Sequence, residues 1–340
     1  MLGRLPKSLG RPTVETTLME ENAVKMIATL LLGLTLAAAE LLGLTLAAAE
    51  LPADRTVAPV KLVEVPGYSE GIVFDGSGVA YISLPNNGVI YKVTGTTATV
   101  WARVPAPNGH KILPDGTHLV CDGAEHAVLR LDSAGKVIGK ASSESAGTPL
   151  RAPNDLTLDA HGGFYFTDPG GSGLKNPIGT VHYVDARGTT HLVASGLAFP
   201  NGIVLRPDGR TLLVGESQRN RILSYPVSAP GAVGAMTVFA VLPEKAEGQI
   251  GNEPDGITLD ADGHLFVAHY GMGQVQVVSP DGPVIRRYTA GPLTTSNVAF
   301  GGPNMDQLFV TGAMGGQKTP GALFRLDLPG VTGLWMGGKR

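Results

Sequence analysis

From Tyr68 onward the chain repeats one phrase six times: a polar residue, an alternating apolar strand, a turn carrying Asp or Gly, and a second apolar strand. The instances open at Ser69-Glu70-Gly71, Pro107-Asn108-Gly109, Pro153-Asn154-Asp155, Pro200-Asn201-Gly202, Pro254-Asp255-Gly256 and Ser296-Asn297-Val298. They recur about every 45 residues, the period of all-β propeller blades. Asp75-Gly76, Asp115-Gly116, His161-Gly162-Gly163, Asp208-Gly209 and Asp262-Gly263 follow the first strands. Asp-Gly between alternating strands predicts tight hairpins with both turn residues at positive φ. Six units with three clear strands each, and weaker fourth strands such as 99–101 and 189–193, predict an all-β, six-bladed β-propeller. Little chain remains after Asp327, so residues 62–65 are expected to pair back as the outer strand of the sixth blade, leaving no open edge.

Composition agrees with a turn-rich chain. Its 47 Gly and 25 Pro exclude a mainly helical protein, and no Gly-X-Y period points to collagen. A net charge of −3 gives no electrostatic reason to expect nucleic acid. The lone Cys121 cannot form an internal disulfide, so stability rests on packing or a bound ion. It sits in an apolar strand and reads as core.

Residues 1–50 differ from the rest. Lys25 precedes an apolar run ending in Ala37-Ala38-Ala39, the parts of a secretory signal. The ten residues 31–40 recur letter for letter as 41–50, which reads as a duplicated coding segment. Joined, 27–49 is long enough to cross a bilayer, although Glu40 would then sit near its centre. The expectation is a leader over 1–50, with Met19 or Met26 as possible starts of translation, and one propeller domain over 51–340. The protein is then periplasmic or secreted, or membrane-anchored if the leader is uncleaved.

Equivalent blade positions lie at equivalent distances from a propeller axis. Glu70, Asn108, Asn154, Asn201, Asp255 and Asn297 all start an innermost strand and should converge at one mouth of the central channel. Two carboxylates packed there would repel unless a cation joined them. Carboxylate and amide oxygens select a hard ion, Ca²⁺ first, with Mg²⁺, Mn²⁺ or Zn²⁺ as alternatives. Asn and Asp also serve as turn formers where strands begin. That reading suits any single position, but it explains neither the recurrence nor Glu70. His110 and His126 are candidates to line the channel, though a lone His is more often packing or surface. Arg151 could reach a substrate oxygen or cap a loop. No HExxH, Gly-x-Ser-x-Gly or Walker loop is present.

The motifs 69–74, Arg151-Ala-Pro-Asn-Asp-Leu156, Tyr165-Phe-Thr-Asp-Pro169, Phe199-Pro-Asn-Gly-Ile203, 254–257 and 297–302 resemble the senescence marker protein / gluconolactonase family of six-bladed propellers, in order and at matching spacing from about Val60 to about Leu328. The resemblance implies a divalent ion, commonly Ca²⁺, held by Glu70, Asn201 and Asp255, with Asn154 beside it. It further implies that Asn154 helps bind the ion or the substrate and that Arg151 binds substrate; Asn108 and His110, from their places at the channel, join them as substrate-binding candidates. Asp255 is the implied acid/base as well as a ligand, and the loops of Asp168 and His269 shape the pocket. The implied reaction is metal-dependent hydrolysis of a small-molecule sugar lactone. A phosphotriesterase or arylesterase on the same ion site, or a non-catalytic propeller binding module, are the alternatives.

Overall fold

The computed structural model describes residues 50–335. The predicted leader therefore lies, but for Glu50, outside the described residues. Among them no helix is long and apolar enough to cross a membrane.

The strands form six antiparallel blade sheets and one two-stranded hairpin, Glu144–Ser145 with Thr148–Pro149; five of the blade sheets are ordered as the chain runs, and the last takes its outer strand from before the first. The first blade comprises Glu70–Phe74, Ala80–Leu84, Val89–Thr94 and Thr97–Ala102, and the second Pro107–Ile112, His118–Asp122, Ala127–Leu131 and Val137–Ser142. Leu156–Leu158, Phe164–Asp168, Gly179–Val184 and Thr190–Leu197 make the third. The fourth has Pro200–Leu205, Thr211–Glu216, Arg221–Ala229 and Thr237–Val241, with a short extra strand at Ala232–Val233. The fifth has Glu253–Leu259, Leu265–Tyr270, Gln274–Val278 and Val284–Thr289. In the sixth, Thr294–Gly301, Gln307–Ala313 and Gly321–Asp327 are completed by Val60–Val65, which pairs with Gly321–Asp327. The N-terminal strand thus closes the ring and leaves no edge between first and last blades.

The core is six cores, one between each pair of neighbours. Between blades one and two lie Val73, Tyr81, Ile90, Val120 and Leu129. Leu119, Cys121 and Val128 instead face blade three, against Leu156, Phe164 and Phe166. Successive strand residues point to opposite faces, so Leu119, Val120 and Cys121 serve two different cores. This is why the middle strands read as unbroken apolar runs instead of the alternation of a one-sided sheet. Burial holds the Cys121 thiol well above its ordinary range.

Innermost strands touch their neighbours around the whole ring. The approach is close enough to dictate glycine. A Cβ on Gly71 would stand 2.1 Å from the Asn108 carbonyl oxygen, and one on Gly202 2.1 Å from that of Asp255.

The predicted two-residue turns are corrected. Only one residue of each turn takes positive φ: Gly78, Gly116, Gly162, Gly209 or Gly263. The Asp side chain instead accepts backbone N–H groups of its own turn, as Asp75 Oδ1 does from Ser77 and Val79. This is Asx chemistry, which needs no left-handed Asp.

Replacing Gly202 by Ala should cost about 1–3 kcal/mol, because the clash is with backbone. Gly139→Ala, where an added Cβ meets nothing within 4 Å, should be close to neutral. Equal denaturation midpoints for the two variants would contradict the close approach. A second expectation concerns acid. Burial holds His118, His182 and His269 each down to about 4. The unfolded chain binds protons at these sites from about pH 6.5 downward while the folded chain does not. The share of stability carried by these histidines should therefore fall as pH falls from about 6.5 to 4, while Glu70, pushed up to about 8, works in the opposite sense. The advantage in melting temperature of wild type over His182→Asn should shrink from pH 6.5 to 5, and a difference that stays constant would contradict this.

Candidate metal centre

Five of the six blades carry a register break just where the polar residue sits: Glu70/Ile72, Pro107/His110, Pro200/Ile203, Pro254/Ile257 and Thr295/Val298. A bulge re-aims a side chain at the cost of local pairing. In the third blade regular pairing begins only at Leu156, and Asn154 N–H bonds the Thr167 carbonyl at 2.9 Å. Buried hydroxyls tie one blade to the next at this level. Thr167 Oγ1 donates to the Asn201 carbonyl (2.8 Å), Ser217 Oγ to Pro254 (2.6 Å), and Ser296 Oγ to Ser69 (2.6 Å).

The result is a cavity of about 260 Å³ whose lining includes Glu70, Asn108, Asn154, Asn201 and Asp255. Larger cavities of about 540 and 730 Å³ are lined by hairpin turns at the opposite end of the blades, and neither gathers buried carboxylates. Glu70 and Asp255 are each 5% exposed. Tyr68 donates its hydroxyl to Glu70 Oε1 at 2.7 Å, whereas Glu70 Oε2 and Asn201 Oδ1 are buried without a partner. Burial, opposed by the Tyr68 bond and aided by the Asp155 charge, pushes Glu70 up to about 8. Burial and the Glu70 and Asp155 charges push Asp255 well above its ordinary range, the Asn201 amide offsetting part of this.

Glu216 provides the contrast. It is fully buried, but Arg219 and Arg221 meet its two oxygens. A buried carboxylate without such a partner costs several kcal/mol. Two of them, beside an orphaned amide oxygen and in an all-oxygen donor set, fit a hard divalent cation. The residues present would hold it through Glu70, Asn201 and Asp255, with Asn154 on the same wall. Asp260, Asp262 and His264 also group closely. They belong to the turn at the far end of the fifth blade's inner strand, where the Asp260 carboxylate accepts His264 N–H and faces His264 Nδ1.

Several expected residues lie elsewhere. His110 does not line the cavity. It is buried between blades one and two, its Nε2 2.8 Å from His118 Nδ1 and its ring stacked on Trp101. The register break after Pro107 undoes the i, i+2 relation that would have set it beside Asn108. Arg151 is also off the lining: its Nη1 donates to the Ile178 carbonyl, and Asp168 accepts its backbone N–H. Asp168 is thereby spent on the backbone of Arg151 and Ala152, while His269 bonds Asn220 Oδ1 and His126 is exposed against the Arg151 carbonyl. Asn297 turns back to accept Val298 N–H and packs over Gly256.

Other residues take part that the repeat did not single out. Tyr68, Asn86, Glu253, Tyr270 and Gln317 complete much of the wall. Asp155 lies buried close by, accepting Leu156 N–H at 2.8 Å and Ile203 N–H at 3.4 Å. Its signal was in the sequence, since blades one, two, four and five have Gly where the third has this Asp.

The family model for the SMP-30/Gluconolactonase/LRE-like region matches residues 68–314. The chain is 30% identical to the gluconolactonase of Zymomonas mobilis over 212 residues, 58% of this chain and 59% of that protein. It therefore spans less than two thirds of that relative's length. To the diisopropyl-fluorophosphatase of Loligo vulgaris it is 27% identical over 276 residues, covering 73% and 86% of the two chains. A solved calcium-binding protein, regucalcin from Agrobacterium tumefaciens, superposes with TM-score 0.68 at 23% identity over 83% of this chain and 100% of that one, a likeness of fold. With the family match running through the blades that build the cavity, the chain belongs to the SMP-30/gluconolactonase/LRE-like family.

Proposed function

We propose that this protein is a metal-dependent lactonase that opens a sugar lactone ring with water. The observation that carries the reading is the pair of buried carboxylates, Glu70 and Asp255, facing one cavity whose lining, among the described residues, holds no Lys or Arg. The gluconolactonase relative supports lactone as the substrate class.

A divalent cation bound there, Ca²⁺ before Mg²⁺ or Mn²⁺, supplies Lewis-acid polarisation of the ester carbonyl and charge against the developing oxyanion. The chain's own residues do the rest. Glu70, Asn201 and Asp255 fix the cation's place from three different blades. Asp255 takes the proton of the attacking water as general base. Asn108 and Asn154, on the same wall, orient the substrate hydroxyls through amide groups that both donate and accept. The cavity, at about 260 Å³, suits a single small ring.

The match to the fluorophosphatase, longer than that to the gluconolactonase, favours a second reading: a phosphotriester in place of the lactone. Both need the same oxygen cage, so substrate assays separate them. Purified protein treated with EDTA should lose hydrolysis of glucono-1,5-lactone, and added Ca²⁺ should restore it. Activity indifferent to chelation would sink the metal-dependent reading. Preference for a dialkyl fluorophosphate over every lactone in a panel would replace it with the second.

Asp255→Asn should lower kcat/KM by about 10²–10⁴-fold, the range of a lost general base. The same change should raise the melting temperature of cation-free protein, because a carboxyl whose ionisation burial and Glu70 oppose is replaced by a neutral amide. It should also abolish the stabilisation by Ca²⁺, which in the wild type amounts to about 2.7 kcal/mol at a hundred times Kd. An Asp255→Asn protein still stabilised by Ca²⁺ would remove Asp255 from the site.

A further inference from the structure

Tyr68 stands two residues before Glu70, in a stretch where alternate side chains share a side. It is 4% exposed, and its ring meets Tyr270 edge-on at 6.4 Å. The backbone between the two is fastened as well. Ser69 Oγ accepts Gly312 N–H and lies 3.0 Å from the Gly312 carbonyl, and the Ser69 carbonyl accepts the Ser296 hydroxyl. Behind Glu70, the close approach of Gly71 to the Asn108 carbonyl leaves the main chain no room to shift. The phenol therefore meets one carboxylate oxygen, Oε1 at 2.7 Å, and leaves Oε2 without a partner. The phenol hydroxyl donates to the carboxylate, which can only accept.

We propose that Tyr68 is a positioning residue that holds Glu70 to a single cation-facing oxygen, Oε2, and so sets the cation preference of the site. The inference rests on the cation reading of the cavity and deepens it. A carboxylate with one oxygen committed to a hydrogen bond binds through the other. Mg²⁺, small and strictly octahedral, accepts that single oxygen, whereas Ca²⁺ also takes carboxylates through both. Tyr68 thus keeps the site usable by the smaller ion. Without the phenol, Glu70 is free to offer both oxygens, which Ca²⁺ can use and Mg²⁺ cannot.

The test is calorimetric titration of Ca²⁺ and of Mg²⁺ into EDTA-stripped, full-length protein, as wild type and Tyr68→Phe. Mg²⁺ affinity should fall about 10-fold or more, the usual effect of losing a partner of a metal ligand, with Ca²⁺ affinity changed much less. A purely structural role would weaken both ions in proportion, and that result, or no change, overturns the proposal. In a Glu70→Gln background the side chain has one oxygen to offer whatever Tyr68 does, so adding Tyr68→Phe should leave the Ca²⁺ to Mg²⁺ ratio where it was. A ratio that still shifts there also overturns it. Should Tyr68→Phe fold poorly, the infrared carboxylate stretches of ¹³C-glutamate-labelled wild type give the same answer: a one-oxygen pattern on adding Ca²⁺ or Mg²⁺ supports the proposal, and a two-oxygen pattern with Mg²⁺ overturns it. Wild-type protein that binds neither ion overturns the cation reading itself, and this inference with it.

Discussion

The structure depends on how closely six innermost strands approach one another. Where Gly71 meets the Asn108 carbonyl and Gly202 that of Asp255, there is no space for a side chain. Backbone therefore packs on backbone, and the polar residue next to each glycine is carried to the mouth of the channel. Hydroxyls repeat the linkage at the same level, with Thr167 holding the Asn201 carbonyl, Ser217 that of Pro254 and Ser296 that of Ser69. The apolar cores lie farther out, between the blades, and serve adhesion. Ligand geometry is set by the hydrogen-bonded inner ring, and that ring admits little compromise, because a shift of one strand moves the next.

This explains what was legible in the chain and what was not. Propeller architecture follows from local signals, hairpin after hairpin at a steady period, and no long-range information was needed to count blades. Closure by Val60–Val65 was equally legible, since the last unit lacks its outer strand. His110 was not, because alternation by two holds only in an unbroken ladder and the break after Pro107 resets it. Asn297 has the motif position but no glycine after it, and its amide turns to its own backbone instead. Arg151 has the family's residue type with an intervening Ala-Pro, and its guanidinium goes to the Ile178 carbonyl. Tyr68 lies just outside the repeated phrase, and only coordinates reveal that it reaches the carboxylate within it.

Electrostatically the molecule uses two solutions for buried carboxylates. Glu216 is given two arginines from its own chain and becomes a strut. Glu70 and Asp255 are given amides, a phenol and each other, with the charge of Asp155 close by. Such an arrangement is unfavourable for folding, since each added negative charge raises the cost of the next. On the proposed reading the same arrangement favours binding, because a cation arriving from solution would offset that cost, and stability given up at the inner ring would become affinity for it. The inter-blade cores are what let the fold carry the unfavourable charges.

Single-residue departures from the repeat therefore mark the working parts of the site. A perfectly regular propeller would place six identical groups around its axis. Here Glu70 breaks the Asn series in blade one, Asp255 breaks it in blade five, and Asp155 replaces the glycine in blade three. Only those blades contribute negative charge to the centre. The regular positions supply the neutral oxygens and the tight packing, so regularity builds the cage and irregularity gives it a charge. Because Glu70 and Asp255 come from blades separated only by the sixth, their charges meet in one cavity at the mouth, which the amides of Asn108, Asn154 and Asn201 line with them. A cation held there, as proposed, would have both charges to neutralise.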